Sequence, residues 1–175
     1  VDTVLDMGAG ITMASGMYHA FSQDEVDRPV VATIGDSTFF HSGTTGLLNA
    51  VYNGARFVLV VLDNRVTAMT GMQPTAASGI RADGSAGGTI PLERIIKGCG
   101  IDFIEVVDPY DIKAMMAVLS RAKAYAYGDP GGVAVVIARH PCVLYENAGR
   151  ESGRRFMVTE DCIGCRFCIE RFECP

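Results

Sequence analysis

Apolar positions along this chain fall into short, nearly unbroken runs that end in polar residues. PVVATIGD (29–36) and RFVLVVLDN (56–64) show the pattern most clearly. Their β-branched, continuous character predicts strands buried on both faces, as in a parallel sheet. IDFIEVV (101–107) and GVAVVIAR (132–139) predict two more strands, and Thr3 to Asp6 a first one. Between these runs the spacing turns helical: small and apolar residues from Gly10 to Ser22, then SGTTGLLNAVY from Ser42 to Tyr52. Pro91 suits a helix start and leads into PLERIIKG. Asp108 is placed to cap a long helix from Pro109 that Gly128 ends. Residues 64–89 are rich in Gly, Ala, Ser and Thr without a sustained period, and a loop of that length inside a compact domain is usually functional. The alternation of strand and helix predicts an α/β fold, a doubly wound and mostly parallel sheet over residues 1–140. A polar linker (141–158) and a short cysteine segment (159–175) complete the predicted organisation.

Composition narrows the picture. In 175 residues, 49% are hydrophobic and 20% charged, which excludes a disordered chain. The apolar run Phe57–Leu62 is six residues, against roughly 20 for a membrane span. Net charge is −5, and from Arg139 onward six Arg balance six acids, so the preceding body carries the excess. No basic footprint for nucleic acid or membrane results. The sequence opens at Val1 with no signal-peptide pattern, and the lack of an initiator Met suggests a piece of a longer polypeptide. Four of the six Cys fall at 162, 165, 168 and 174, a spacing that suggests metal or cluster ligation in a reducing, cytoplasmic compartment.

Ligands of open α/β sheets bind beyond the carboxyl ends of the strands. Two strands here end in Gly35-Asp36-Ser37-Thr38 and in Asp63-Asn64, and 28 positions separate Asp36 from Asn64. One helix and one strand fill that interval, so both side chains can emerge at one sheet edge. A carboxylate, an amide oxygen and a nearby carbonyl make a hard oxygen set suited to Mg²⁺, completed by phosphate oxygens and water. Gly35 permits close backbone approach, and the N–H groups opening the Ser42 helix favour a diphosphate. The other reading of Asp36 and Asn64 is as ordinary turn residues.

The surrounding residues, GDSTFFHSGTTGLLNAVYN and VLDNRVTAMTGMQPT, resemble the thiamine diphosphate motif of the indolepyruvate:ferredoxin oxidoreductase α subunits. More broadly they are similar to the diphosphate-binding domain of thiamine diphosphate enzymes. The resemblance implies that Asp36 and Asn64 ligate Mg²⁺ through side chains and Val66 through its carbonyl. It further implies that Gly35, Ser37 and Thr38 hold the diphosphate, and that Asp6-Met7-Gly8-Ala9 forms the turn near the aminopyrimidine, bringing Met7 and Gly8 to the cofactor. The third motif position is Ser37 in place of Gly. Met72 stands where related sequences often carry His, so no role of that His transfers. His41, just past the motif, is the candidate catalytic group; the alternative is a helix cap. His19 and His140 read as structural; Met69, Met72, Met115 and Met116 do not form a metal box, and the last two read as core positions of an amphipathic helix.

DCIGCRFCIERFECP gives C-x2-C-x2-C-x5-C-P. Closely spaced soft thiolates with a trailing Pro suit an iron–sulfur cluster. Zinc is the alternative, although overlapping CxxC steps that share a Cys differ from the separated pairs of a zinc ribbon. The segment resembles the first of two cysteine runs in the same α subunits. By that analogy Cys162, Cys165 and Cys168 bind one [4Fe–4S] cluster and Cys174 serves a second; a longer loop closing one cube is the other possibility.

The resemblance implies part of an enzyme that oxidatively decarboxylates arylpyruvates such as indolepyruvate, with coenzyme A taking the acyl group and ferredoxin the electrons. It also implies a pyrimidine-binding domain and a second subunit, with an activating Glu supplied from outside these residues. The alternatives are a pyruvate or branched-chain 2-oxoacid:ferredoxin oxidoreductase, a non-oxidative thiamine diphosphate decarboxylase or synthase, and a non-catalytic electron-carrier module.

Overall fold

The structure is a computed structural model that describes residues 2–26, 28–146 and 158–172. A turn in which Asp6 Oδ1 accepts the N–H groups of Gly8 and Ala9 leads into α1 (Gly10–Gln23). β1 (Val31–Gly35) then passes without a break into α2 (Asp36–Thr38), a π-helical turn (Phe39–Gly43) and α3 (Thr44–Tyr52). β2 (Phe57–Asp63) is followed by a small antiparallel hairpin, β3 (Val66–Thr67) with β4 (Gln73–Pro74). Next come α4 (Leu92–Gly98), β5 (Phe103–Val107), α5 (Ile112–Ala126) and β6 (Val133–Arg139). Two short helices, α6 (Val143–Glu146) and α7 (Phe167–Phe172), follow.

The main sheet is parallel throughout in the order β1-β2-β6-β5. Its central strands are apolar at every step because helices cover both faces. Phe57, Leu59 and Val61 pack with Ile11, Leu47, Leu92 and Ile96, whereas Val58 and Val60 pack with Val118, Ala122 and Ala126 of α5. This is the doubly wound α/β arrangement that the apolar runs predict.

Several expectations are corrected at the margins. Thr3 to Asp6 does not join the sheet: Val4 and Leu5 are exposed, and this segment lines, with α1 and β1, a groove of about 370 Å³. Without ladder bonds the segment has nothing to hold it as a strand. β1 is buried on one face only. Ala32 and Ile34 enter the core, but Val31 is 60% exposed, because β1 lies at the sheet edge and the helix on that face packs over the other strands. Its entry is still pinned, since Val30 N–H donates to the Tyr127 hydroxyl at the end of α5 at 2.8 Å. Asp108 does not cap the long helix. It accepts Tyr110 N–H in the preceding turn, and Asp111 caps α5 by accepting Ala114 N–H, since Pro109 and Tyr110 are spent on the turn.

The helix expected at Ser42 begins instead at Asp36, directly off the strand. Gly35 is extended, and Asp36 Oδ1 accepts Ser37 N–H at 2.7 Å, fixing the first turn. The π-helical turn then absorbs one extra residue while Phe39 is fully buried. A Cβ on Gly43 would meet the Phe39 ring at 2.7 Å, so this glycine makes room for the ring. Single π turns of this kind often accompany functional sites.

Candidate active site at the strand ends

Strand register places the decisive residues in one row. Gly35 pairs with Leu62 and Asp63 pairs with Arg139, so Asp36, Asp63 and Arg139 succeed one another across the carboxyl ends of β1, β2 and β6. Asp36 and Asp63 are 3% and 2% exposed, two carboxylates buried side by side. Arg139 Nε donates to Asp63 Oδ2 at 2.6 Å, and its Nη1 donates to Glu93 Oε1 on α4 at 2.8 Å. That guanidinium holds the Glu93 carboxyl below the usual carboxylate range.

Asp36 is held by backbone donors. Ser37 N–H reaches Oδ1 at 2.7 Å and Arg65 N–H reaches Oδ2 at 2.8 Å. Arg65 presents that N–H from a left-handed conformation (φ 62°), a cost in a non-glycine residue that the surrounding contacts must offset. Burial still pushes the Asp36 carboxyl up to about 6, and the neighbouring Asp63 adds to the effect. Asn64 follows on β2, with its side-chain oxygen accepting Val66 N–H at 3.1 Å. Val66, 5% exposed, opens the hairpin, whose next residue Thr67 shares a hydroxyl–hydroxyl bond of 2.8 Å with Ser37. Asp36, Ser37, Asn64 and Val66 are therefore brought to one edge of the sheet, as the sequence predicts.

The remaining predicted residues fall around this centre. A Cβ on Gly35 would meet nothing within 4 Å, so that side of the loop is open. Thr38 is half-buried, and His41 is exposed on the π-helical turn. Met7 is 66% exposed. Gly8 lies against the π-helical turn, where a Cβ would stand 2.8 Å from Ser42 Oγ. Asp63, Arg139, Glu93 and the Arg65 N–H were not foreseen. The strand-end position of Asp63 is visible in the sequence, but its partner Arg139 lies 76 residues away, and Arg139's second partner Glu93 meets it only through the fold.

The donor set fits a divalent cation and a diphosphate. Of the two buried carboxylates Asp63 is paired with Arg139, and its Oδ1 has no partner among the described residues. Each Asp36 oxygen keeps a second lone pair beyond its backbone bond, and Asn64 offers an amide oxygen beside them. These are hard ligands of the kind Mg²⁺ takes together with phosphate oxygens and water.

The profile described as "Thiamine pyrophosphate enzyme, C-terminal TPP binding domain" matches residues 2–138. The chain belongs to this family of thiamine pyrophosphate enzymes. Among curated relatives, the indolepyruvate oxidoreductase subunit IorA of Archaeoglobus fulgidus is 46% identical over all of this chain and 27% of its own length. The same-named subunit of Thermococcus kodakarensis is 40% identical, again over all of this chain and 28% of its own. The chain thus spans little more than a quarter of these relatives. A solved structure from Mycobacterium smegmatis, described as a candidate thiamin diphosphate-dependent enzyme, superposes with a TM-score of 0.53 at 22% identity. It covers 78% of this chain and 22% of the other, and supports the fold of this TPP-binding domain.

The cysteine segment is built differently. Cys162, Cys165 and Cys168 are all exposed, and among the described residues no three His, Cys, Asp or Glu side chains gather as a metal site. Gly164 and Arg166 take left-handed conformations that bend the chain between the cysteines, and Cys168 sits on α7. The thiols suit a cluster by chemistry and spacing but do not converge as placed. Cys174 lies outside the described residues. No described helix is long and apolar enough to cross a membrane.

Proposed function

We propose that this TPP-binding domain belongs to a 2-oxoacid:ferredoxin oxidoreductase acting on arylpyruvates such as indolepyruvate, with coenzyme A as acyl acceptor. The observation that carries the reading is that buried Asp36 and the nearby Asn64 lie at the carboxyl ends of neighbouring strands, the positions expected to hold Mg²⁺ and diphosphate. The curated relatives named indolepyruvate oxidoreductase subunit IorA support the substrate class. Thiamine diphosphate, when bound, supplies a thiazolium that withdraws electrons from the substrate as CO₂ leaves.

The chain's own residues bind and orient. Asp36, Asn64 and the Val66 carbonyl hold the cation, Gly35, Ser37 and Thr38 the diphosphate, and Met7 and Gly8 border the aminopyrimidine. His41, exposed on the π-helical turn, is the candidate catalytic group. The activating Glu, a pyrimidine-binding domain and a second subunit come from other parts of the enzyme. Cys162, Cys165, Cys168 and Cys174 are proposed ligands of [4Fe–4S] clusters that pass electrons toward ferredoxin in the cytoplasm. Domain limits of 1–140, 141–158 and 159–175 go with this reading.

Titration calorimetry on the full-length protein tests it. Wild type should bind thiamine diphosphate only with Mg²⁺, and Asp36→Ala should abolish that Mg²⁺-dependent binding. Unchanged affinity in the variant would remove the site assignment. Turnover with a viologen acceptor should favour arylpyruvate over pyruvate; the opposite preference would move the protein to the pyruvate branch.

A further inference from the structure

Asp63 has no role in the reading above, yet it is among the largest fully buried side chains of the molecule. Its Oδ2 is taken up by Arg139 at 2.6 Å, and Glu93 holds the same guanidinium from the far side. Its backbone is also fixed, since Asp63 C=O accepts His140 N–H at 3.1 Å. Oδ1 is left without a partner although it is sealed from solvent. A buried carboxylate oxygen in that condition is costly, and such oxygens normally find a donor.

The side facing Asp36 decides what that donor is. Register sets the two buried carboxylates at neighbouring strand ends, so Asp36 offers Asp63 only acceptor oxygens, and among the described residues no hydrogen-bond donor reaches Asp63 Oδ1. The unit Asp36, Asp63, Glu93 and Arg139 carries a net charge of −2 when all four are ionised, opposite to one divalent cation. Asp63 is unsuited to bind that cation directly, because Arg139 and its own strand fix it while Mg²⁺ already has Asp36, Asn64, a carbonyl and phosphate oxygens within a demanding octahedron. A water on the cation supplies the missing donor.

We propose that Asp63 is the outer-sphere carboxylate of this site, its free Oδ1 accepting a hydrogen bond from a water bound to the divalent cation while Arg139 and Glu93 lock its orientation. The inference rests on the assignment of the cation to Asp36 and Asn64. Outer-shell partners of this type typically change metal affinity by roughly 10- to 100-fold.

The test uses the full-length protein with thiamine diphosphate and Mg²⁺ or Mn²⁺. Asp63→Asn should weaken cation affinity about 10- to 100-fold, and should speed water exchange on bound Mn²⁺ measured by proton relaxation. Melting of the metal-free protein guards against a merely structural effect. The double variant Asp63→Asn/Arg139→Gln removes the ion pair as a unit and should show the same weakening. If Asp63→Asn binds the cation as wild type does while Asp36→Ala does not, the inference fails and the cation site stands. If the double variant regains wild-type affinity, Asp63 serves only to neutralise Arg139 and the inference is overturned. If Asp36→Ala also binds normally, the underlying site assignment fails.

Discussion

The strand-end row and the cysteine segment both supply metal-binding residue types, but only the first is organised by its own fold. Asp36, Asp63 and Arg139 are set by the register of three adjacent strands, with Asp36 held by backbone donors and Asp63 by an ion pair. Cys162, Cys165 and Cys168 sit on an exposed stretch with Ile163 87% exposed and a helix of six residues. The described thiols of this stretch are exposed, so a bound ligand would supply the cross-links that elsewhere come from packing. The difference teaches that a site can be prepared before its ligand arrives, or assembled by it.

The largest effect that would break this contrast concerns iron. Cys162→Ser in the full-length protein should remove the iron of one cluster, with Mg²⁺-dependent thiamine diphosphate binding unchanged by calorimetry. Cys174→Ser should disturb a different cluster by EPR; loss of the same signal in both variants would put all four thiolates on one cube. If Cys162→Ser also abolished cofactor binding, the two regions would be coupled.

A core substitution probes the opposite side. Leu59→Ala beneath the row should cost about 2–5 kcal/mol in urea unfolding and leave the iron content of the folded fraction intact. A smaller effect comes from Tyr127→Phe, which leaves the buried-side Val30 N–H without its acceptor. It should cost about 1 kcal/mol in the same measurement. Smallest is the acid response of Glu93. Its carboxyl is held below the ordinary value of 4.5, so its contribution is complete above that pH and is lost as pH falls through the lowered value. Glu93→Gln should flatten the acid limb of stability by under about 1 kcal/mol, because the pair is partly solvent-screened. An unaltered limb would show that Arg139 is held by Asp63 alone.

Much of the fold was legible because buried parallel strands need apolar residues on both faces, which leaves an unmistakable run in β2 and β6. The same logic overreached at β1, where an equally apolar run lies at an edge and Val31 faces solvent. Apolar composition states what can be buried, and neighbours decide what is. Asp36 and Asn64 were readable from spacing, since one helix and one strand return the chain to the same edge. The Ser42 helix start was misplaced because nothing local announces that Asp36 can cap its own first turn. Asp63, Arg139 and Glu93 were hidden for a different reason: each looks like an ordinary charge until register aligns them.

The uncovered edge of β1 has a consequence for anyone who handles the chain in isolation. A strand with unpaired backbone groups, an exposed Val31 on one face and exposed Val4 and Leu5 across a narrow groove is a template for pairing with any extended peptide. At millimolar concentration the isolated chain should therefore be polydisperse in light scattering. Replacing Val31 with Lys should make its solutions behave better without touching the cofactor edge, which lies at the far end of the same strand.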